Sequence, residues 1–410
     1  MDRQLYSDPS QDVFLGWKEI LAKIKTQEVF YSIQKSQQHL DVFLQMVCSL
    51  IVDEPIILLE NDIPLGDVEK IGIEKNQLGD KAEINWEKLP STFEEFLDNL
   101  TNLKKWKITL FTSGTTGQPK KVVHNFESIT KGVKLSQKYS EHKWGWAYNP
   151  THMAGIQVFF QALLNENTLV PLFSKSRQEI ISNIRSTAIT HISATPSFYR
   201  MLLPLETELP SITTITFGGE RLDKNLEELF RTVFPNAKLR NVYASTEAGA
   251  LFSTEGEFFK VSDRLSKYVK FVDNQLLIHQ SLLGEFQMNA DEWYNTGDIV
   301  EFSTHSPKLF RFISRNSEVI NVGGYNVNPQ KVEQELNKHP KVINSLVYGK
   351  SNSILGRIVM AEVKTDSKFL TEKELRSFLT GKLQSYEVPR IFKFVDELPL
   401  TKTGKILRKR

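Results

Sequence analysis

The chain has 410 residues, with 51 Lys and Arg set against 49 Asp and Glu, for a formal net charge of +2. That near-balance excludes the concentrated basic surface that nucleic acid or an anionic membrane requires, so no nucleic-acid partner is expected. With 40% apolar and 24% charged residues, the composition is that of a water-soluble globular protein, and the length calls for two or three domains or subdomains.

Cys48 is the lone cysteine, which rules out an internal disulfide and a cysteine-based zinc site. It lies in the apolar run 42–52 and reads as a small buried core residue. That run is shorter than the roughly 20 apolar residues a bilayer span needs. The start, Met1-Asp2-Arg3-Gln4, is polar and leads into no secretory apolar core. A cytoplasmic protein without membrane insertion is the expectation. The basic ending Arg408-Lys409-Arg410 reads as a solvated tail.

Residues 1–105 carry few functional signals. A helix is expected over about 36–50, followed by a short buried strand over 55–59. From residue 107 strands and helices alternate. A strand at 108–111 leads into a loop and then a helix from 126 to about 139. Strand 168–170 leads to helix 177–186, and strand 191–193 to helix 196–203. Strand 212–217 leads to helix 222–234, and strand 239–243 follows. That alternation predicts a parallel sheet with crossover helices. Residues 251–315 read as short strands and turns, a small antiparallel sheet or barrel. Beyond 317 comes a compact α+β segment. It has helices at 329–338 and 372–383, strands around 342–348 and 358–363, and a terminal strand and tail. No repeat and no low-complexity stretch appears.

The densest chemical signal is Leu110-Phe111-Thr112-Ser113-Gly114-Thr115-Thr116-Gly117-Gln118-Pro119-Lys120. Its two glycines let backbone approach a ligand closely, and its hydroxyls and successive N–H groups can cradle phosphate oxygens. Lys120 adds a positive charge. The Walker A spacing is absent. On composition alone the segment is a phosphate loop or a polar surface turn.

This loop resembles the phosphate-binding signature of the adenylate-forming superfamily, which comprises acyl-CoA synthetases, nonribosomal peptide adenylation domains and firefly-type luciferases. Five further segments match in the family's order over roughly 300 residues. Gly218-Gly219-Glu220 matches the turn that borders the adenine. Tyr243-Ala244-Ser245-Thr246-Glu247 resembles Tyr-Gly-x-Thr-Glu, with Ala244 in place of the usual glycine. There the resemblance implies Tyr243 stacked on the purine, Thr246 donating to phosphate or carboxylate, and Glu247 as the Mg²⁺ ligand. Tyr294-Asn295-Thr296-Gly297-Asp298 implies Asp298 at the ribose hydroxyls. Ser314-Arg315-Asn316-Ser317-Glu318 implies Arg315 at ribose or phosphate and Ser317 as the hinge between domains. Gly323 and Gly324 would lie beside the pantetheine channel. Ser314 and Asn321 stand where glycine and lysine are common. The hinge serine, its following acid and the double glycine look like the o-succinylbenzoate–CoA ligase branch. Thr401-Lys402-Thr403-Gly404-Lys405-Ile406 resembles the C-terminal lysine motif, with Lys405 as the catalytic lysine and Lys402 off that position.

Taken singly, each of these has a plainer reading: a strand-ending turn, a helix cap, an exposed aspartate, a solvated lysine. His152 and Gly155 lie in Asn149-Pro150-Thr151-His152-Met153-Ala154-Gly155, which resembles the acyl and pantetheine segment of acyl-CoA synthetases. No aspartate is present there to hold an α-ammonium, which disfavours an amino-acid substrate. A lone histidine is otherwise structural, and His191 in a strand context reads as core. Phe198 and Tyr199 are either pocket-lining or core.

The resemblance implies an α/β fold: a large N-terminal domain, 1–316, of parallel α/β sheets plus a small distorted β-barrel, then a small mobile α+β C-terminal domain, 317–410. It implies ATP and Mg²⁺ as cofactors, a carboxylic acid substrate, and coenzyme A as co-substrate. An acyl carrier protein as thiol partner is the alternative, and a non-catalytic nucleotide-binding protein or a luciferase are remoter ones. Fewer residues precede the phosphate loop than in typical members, which leads us to expect a reduced N-terminal region and a small or aromatic acid.

Overall fold

The computed structural model describes residues 3–27, 29–36, 38–59, 69, 71, 73, 81–84, 89–112, 120–203, 205, 207–220, 224–287, 291–304, 306–315, 318–322, 325–352 and 356–399. The chain divides into two compact units. Met1–Glu220, Leu229–Gly256 and Gln280–Asp291 form the first; Arg221–Glu228, Glu257–His279 and Glu292–Arg410 form the second.

The first unit is built on an eight-stranded sheet. Its strand order is Gly249–Thr254, Lys238–Ser245, Thr214–Gly218, His191–Ala194, Lys143–Trp146, Thr168–Pro171, Tyr6–Asp8 and Val13–Leu15. The six inner strands run parallel and the two edge strands antiparallel. Helices Met153–Leu163, Arg177–Thr187 and Pro196–Met201 supply crossovers between its parallel strands. A second sheet of four strands joins Ile33–Lys35, Ile56–Leu59, Lys107–Thr112 and Lys120–Asn125, the last antiparallel. The run Ile56–Leu59 is buried at every position, as a two-faced strand must be.

One apolar cluster serves both sheets. Helix His39–Val52 brings Phe43 against Tyr6, with ring centroids 5.3 Å apart, and against Phe159 at 5.7 Å. Helix Met153–Leu163 turns Phe160 the other way, to Trp106 at 5.8 Å and Phe126 at 5.9 Å. Cys48 is fully buried in the helix His39–Val52, and burial pushes its thiol up to about 12.

The second unit holds a five-stranded antiparallel sheet in the order Phe259–Lys260, Ser306–Arg315, Trp293–Ser303, Gln275–His279 and Val269–Val272. It also holds a three-stranded sheet, Asn344–Asn352, Gly356–Lys364 and Ile391–Val395, backed by helices Pro329–Asn337 and Glu372–Leu379. Its core gathers Val332, Leu336, Val347, Val363, Leu375 and Leu379.

Two helices are shorter than their sequence pattern. The expected helix over 126–139 is helix Phe126–Thr130, then a turn and a non-helical stretch over 133–136, then a single 3-10 turn Gln137–Tyr139. Side chains on and just past helix Met153–Leu163 claim that stretch: Gln161 bonds the N–H and the carbonyl of Lys134, and Asn165 accepts the Ser136 N–H. The helix expected over 372–383 stops at Leu379, where Thr380 is extended and Gly381 takes φ 80°. Tyr199, left open between pocket and core, is core: it is fully buried and its hydroxyl donates to the Ile192 carbonyl at 2.9 Å. His191 is buried in its strand, its ring stacked on that of His142 at 3.8 Å. Among the described residues no helix is long and apolar enough to cross a membrane.

Residues 1–105 hold a buried polar knot that the sequence does not announce. Lys175 Nζ meets Asp8 Oδ2 at 3.0 Å, both nearly out of solvent, and pins strand Tyr6–Asp8 to the end of the sheet. His39 lies beside them. Burial pushes its imidazole down to about 3; Lys175 adds to this, while Asp8 and the backbone of Trp146 and Tyr148 oppose it. The unfolded imidazole, with a pKa near 6.5, therefore binds a proton that the folded one refuses. Stability is full above about pH 6.5 and falls as pH drops toward 3, by ~3 kcal/mol between pH 7 and pH 4 for His39 alone. Urea unfolding midpoints measured across that window are expected to fall, and the slope should shrink in His39→Gln. An unchanged slope in that variant would mean His39 titrates normally.

Candidate functional site

The strands Lys107–Thr112 and Lys120–Asn125 pair as a hairpin, with Thr112 opposite Lys120. The loop that joins them carries Ser113, Gly114, Thr115, Thr116 and Gly117, which lie outside the described residues. What is described is the loop's base. Lys120 Nζ lies 3.2 Å from Glu247 Oε1 and 3.5 Å from the centre of the Phe286 ring. Burial lowers the Lys120 pKa, and the charge and hydrogen bond of Glu247 work against that shift. Glu247 follows the strand Lys238–Ser245 of the large sheet, so this ion pair ties one sheet to the other.

The parallel strands of the large sheet deliver the remaining groups at their carboxyl ends, where open α/β sheets place their ligands. Gly218 ends strand Thr214–Gly218, and Gly219 turns the chain at φ 80°. Tyr148 donates its hydroxyl to the Gly218 carbonyl at 3.3 Å. Glu220 Oε2 accepts from the Ser197 N–H at 3.0 Å and from its hydroxyl at 2.7 Å, which fixes the carboxylate against the start of helix Pro196–Met201. On the next strand Tyr243 faces Phe252 across the ladder, rings 5.8 Å apart, and a bulge between Tyr243 and Ala244 turns the chain toward Thr246. His124 Nε2 sits 2.8 Å from the Thr246 carbonyl oxygen, and the Gly284 N–H donates to the Glu247 carbonyl at 2.7 Å. Burial lowers the pKa of His124, with the Thr246 carbonyl opposing, so the ring is neutral near pH 7.

His152 occupies the N-cap position of helix Met153–Leu163. The turn before it is closed by Asn149, fully buried, whose Oδ1 accepts from the N–H and the hydroxyl of Thr151 at 3.0 and 2.9 Å. Gly155 lies under that turn. A Cβ there would stand 2.2 Å from the Asn149 carbonyl oxygen, a backbone atom that cannot swing away. Its own carbonyl accepts from the Trp146 indole at 2.9 Å.

In the second unit Asp298 and Arg315 are opposite one another on paired strands. Arg315 Nε donates to Asp298 Oδ1 at 2.6 Å, and a second guanidinium nitrogen to Oδ2 at 3.5 Å. Asp298 is buried and Arg315 half exposed, so the pair is anchored at the carboxylate. Ser317, Gly323, Gly324 and Lys405 lie outside the described residues.

The first unit thus brings together Lys120, Gly218, Gly219, Glu220, Tyr243, Thr246 and Glu247 on strand ends, with His152 and Gly155 at the head of the central helix. Sequence reasoning passed over His124, Tyr148, Ser197 and Gly284. For His124 a signal existed: it alternates with Val122 on the buried side of its strand. Chemically, the Lys120–Glu247 pair offers an ammonium for phosphate oxygens and a hard carboxylate oxygen for a divalent cation. Among the described residues no three His, Cys, Asp or Glu side chains gather as a metal cage. Mg²⁺ asks for less than a cage, since it keeps waters and takes one or two protein carboxylates plus substrate phosphates.

Gly155→Ala is expected to destabilise the fold by ~2 kcal/mol, because overpacking against fixed backbone has no low-energy relaxation. Denaturant titration checks it; a loss below about 0.5 kcal/mol, the range of ordinary surface substitutions, would show that the 149–152 turn can move.

Known proteins resemble this chain in sequence and in fold. The AMP-binding enzyme family model covers residues 49–272, and that of the AMP-binding enzyme C-terminal domain covers 331–405. 4-Hydroxybutyrate–CoA ligase 1 of Metallosphaera sedula is 27% identical, over 73% of this chain and 61% of that protein. The 2-succinylbenzoate–CoA ligase of Bacillus licheniformis is 26% identical, over 73% of this chain and 68% of that protein. The match with the first of these spans less than two thirds of its length. Among solved structures, o-succinylbenzoate CoA synthetase from Bacillus subtilis, in complex with its acyl-adenylate intermediate, superposes with a TM-score of 0.72 at 18% identity, over 99% of this chain and 94% of that one. The strand-end placement of the motif residues and the family match over more than half of the sequence lead to one conclusion: this chain belongs to the AMP-binding enzyme family.

Proposed function

We propose that this protein activates a carboxylic acid with ATP to give an acyl-AMP and pyrophosphate, and then transfers the acyl group to the thiol of coenzyme A. The observation that carries the reading is the Lys120–Glu247 pair, set where the phosphate-loop hairpin meets the end of strand Lys238–Ser245. The ligase relatives support the thiol acceptor.

In the first step a substrate carboxylate oxygen attacks the α-phosphorus, and the bond to the β-phosphate oxygen breaks. No protein nucleophile is required; positioning and charge neutralisation suffice. Lys120 and the hydroxyls and N–H groups of 112–117 hold the departing phosphates. Tyr243 and the Gly218-Gly219-Glu220 turn border the adenine, and Asp298 with Arg315 takes the ribose. Asp298 suits that role because an ionised carboxylate only accepts hydrogen bonds, which is what ribose hydroxyls ask of a partner. Thr246 donates to the substrate carboxylate or phosphate. Lys405 stabilises the charge that builds on the reacting oxygens. Mg²⁺ held at Glu247 supplies further neutralisation of the phosphates when bound. In the second step a thiolate attacks the acyl carbonyl and AMP leaves. The small domain, beginning near 317, rotates about Ser317 between the steps, withdraws Lys405 and brings Gly323-Gly324 beside the pantetheine arm, with His152 and Gly155 at the acyl site.

The test is pyrophosphate release from ATP and Mg²⁺ over aromatic, short, medium and long carboxylic acids, each with and without coenzyme A. One acid class should give release, and coenzyme A should stimulate it. Lys405→Ala and Glu247→Gln should each lower the rate about 10²-fold, the cost of removing one preorganised charge from a transition state. Release that depends on a carrier protein and not on coenzyme A would reassign the acceptor. ATP binding with no release for any acid would remove the catalytic reading.

A further inference from the structure

The Thr246-Glu247 turn is held from behind by groups that no motif signals. His124 is 1% exposed in strand Lys120–Asn125, four residues past the phosphate-loop lysine. Its Nε2 faces the Thr246 carbonyl at 2.8 Å. A carbonyl only accepts, so Nε2 carries the proton. Nδ1 is then the acceptor, 3.1 Å from the Ser128 hydroxyl.

The carbonyl of the next residue is fixed as well. Glu247 accepts from Gly284 at 2.7 Å, and Gly284 belongs to a strap laced to the same strand. Glu285 N–H donates to the Val123 carbonyl at 2.7 Å, and Val123 N–H returns to the Glu285 carbonyl at 2.9 Å. Lys131 Nζ donates to the Leu282 carbonyl. Phe286, at the end of the strap, lies under Lys120 Nζ. There is no room to spare: a Cβ on Gly284 would stand 2.6 Å from His124 Cε1 and 2.8 Å from the Val123 carbonyl. Two consecutive carbonyls held this way leave the Glu247 side chain on the Lys120 side, at 3.2 Å.

We propose that His124 is a positioning residue, which through its Nε2–H bond to the Thr246 carbonyl sets the Thr246 hydroxyl and the Glu247 carboxylate at the phosphate site, with Gly284 required to let the imidazole sit there. The inference rests on the role given to Glu247 above. A buried histidine that only fills the core would contribute to stability alone. A positioning histidine also governs how Mg²⁺ strengthens ATP binding, and how fast bound substrates react.

The experiment uses the full chain as wild type, His124→Leu, His124→Gln and Gly284→Ala. Long-range ¹H–¹⁵N spectra of the wild type should show the Nε2-protonated tautomer at His124. Calorimetry of ATP binding with and without Mg²⁺ should show the Mg²⁺ enhancement reduced about 10-fold in His124→Leu, as when an outer partner of a metal ligand is lost. Acid-dependent ATP–pyrophosphate exchange should lose about 10²-fold in kcat, while KM for the acid stays within about 3-fold, since misplacement costs rate more than binding. His124→Gln, which keeps an N–H donor, should recover most of both, and Gly284→Ala should resemble His124→Leu. The Nδ1 tautomer, or a folded His124→Leu with undiminished Mg²⁺ enhancement, would overturn the proposal. So would equal damage in Leu and Gln that tracks melting temperature alone. Should His124→Leu fail to fold, the tautomer and the Gln and Gly284→Ala variants decide. A wild type that binds ATP with Mg²⁺ enhancement yet exchanges no pyrophosphate defeats the adenylation reading, while the binding comparison still judges His124. A wild type without that enhancement defeats both.

Discussion

Helix Met153–Leu163 has almost no side to give to water. Eight of its eleven residues are buried, and its two phenylalanines point to opposite partners, Phe159 to Phe43 and Phe160 to Trp106. A helix apolar all round must be enclosed, and here the enclosure is made by two sheets. The rest of the first unit follows from that demand. The four-stranded sheet exists as a separate layer because Phe160 needs Trp106 and Phe126, and helix His39–Val52 lies where it does because Phe159 and Tyr6 need Phe43. Removing either ring would open a cavity costing about 3–5 kcal/mol. The head of the helix must then be closed without stray polar groups, and Asn149 and Gly155 do so within seven residues.

Enclosure from two sides also explains why the Lys120–Glu247 pair sits at a seam. Lys120 comes from one sheet and Glu247 from the other, and they meet because both sheets close on the same helix. The seam is partly shielded, so the charge pair acts with less screening than a surface pair would. The second unit holds an ion pair of another kind, Asp298 and Arg315, matched across an antiparallel ladder and dependent on strand register.

Much of this was legible in the residues. The alternation of strands and helices from 168 to 245 predicts the parallel sheet, although the strand at 107–112, read as part of the same alternation, belongs to the second sheet; short segments such as Gly218-Gly219-Glu220 and Thr246-Glu247 fall at strand ends, where motif matching expects them. What escaped was whatever depends on contacts distant in sequence. The strand Tyr6–Asp8 joins the sheet beside Thr168–Pro171, more than 160 residues away, and its Asp8 meets Lys175; neither carries a local signal. His124 looks like one more residue of a strand until Thr246 arrives opposite it. The truncated helix after Phe126 fails as a local reading for the same reason, since Gln161 and Asn165 offer its backbone better partners than another helical turn would. Local pattern reports what a segment can do alone, and these residues are assigned by company.

The solitary thiol of Cys48 carries a last consequence. It is fully buried, and burial raises its pKa to about 12, so in the closed protein it is both hidden and unreactive. A thiol reagent can therefore capture it only in moments when helix His39–Val52 has swung open. The rate of labelling, read at increasing reagent concentration, becomes a clock for the breathing of the core. With a single thiol in the chain, that clock needs no engineered probe and no assignment.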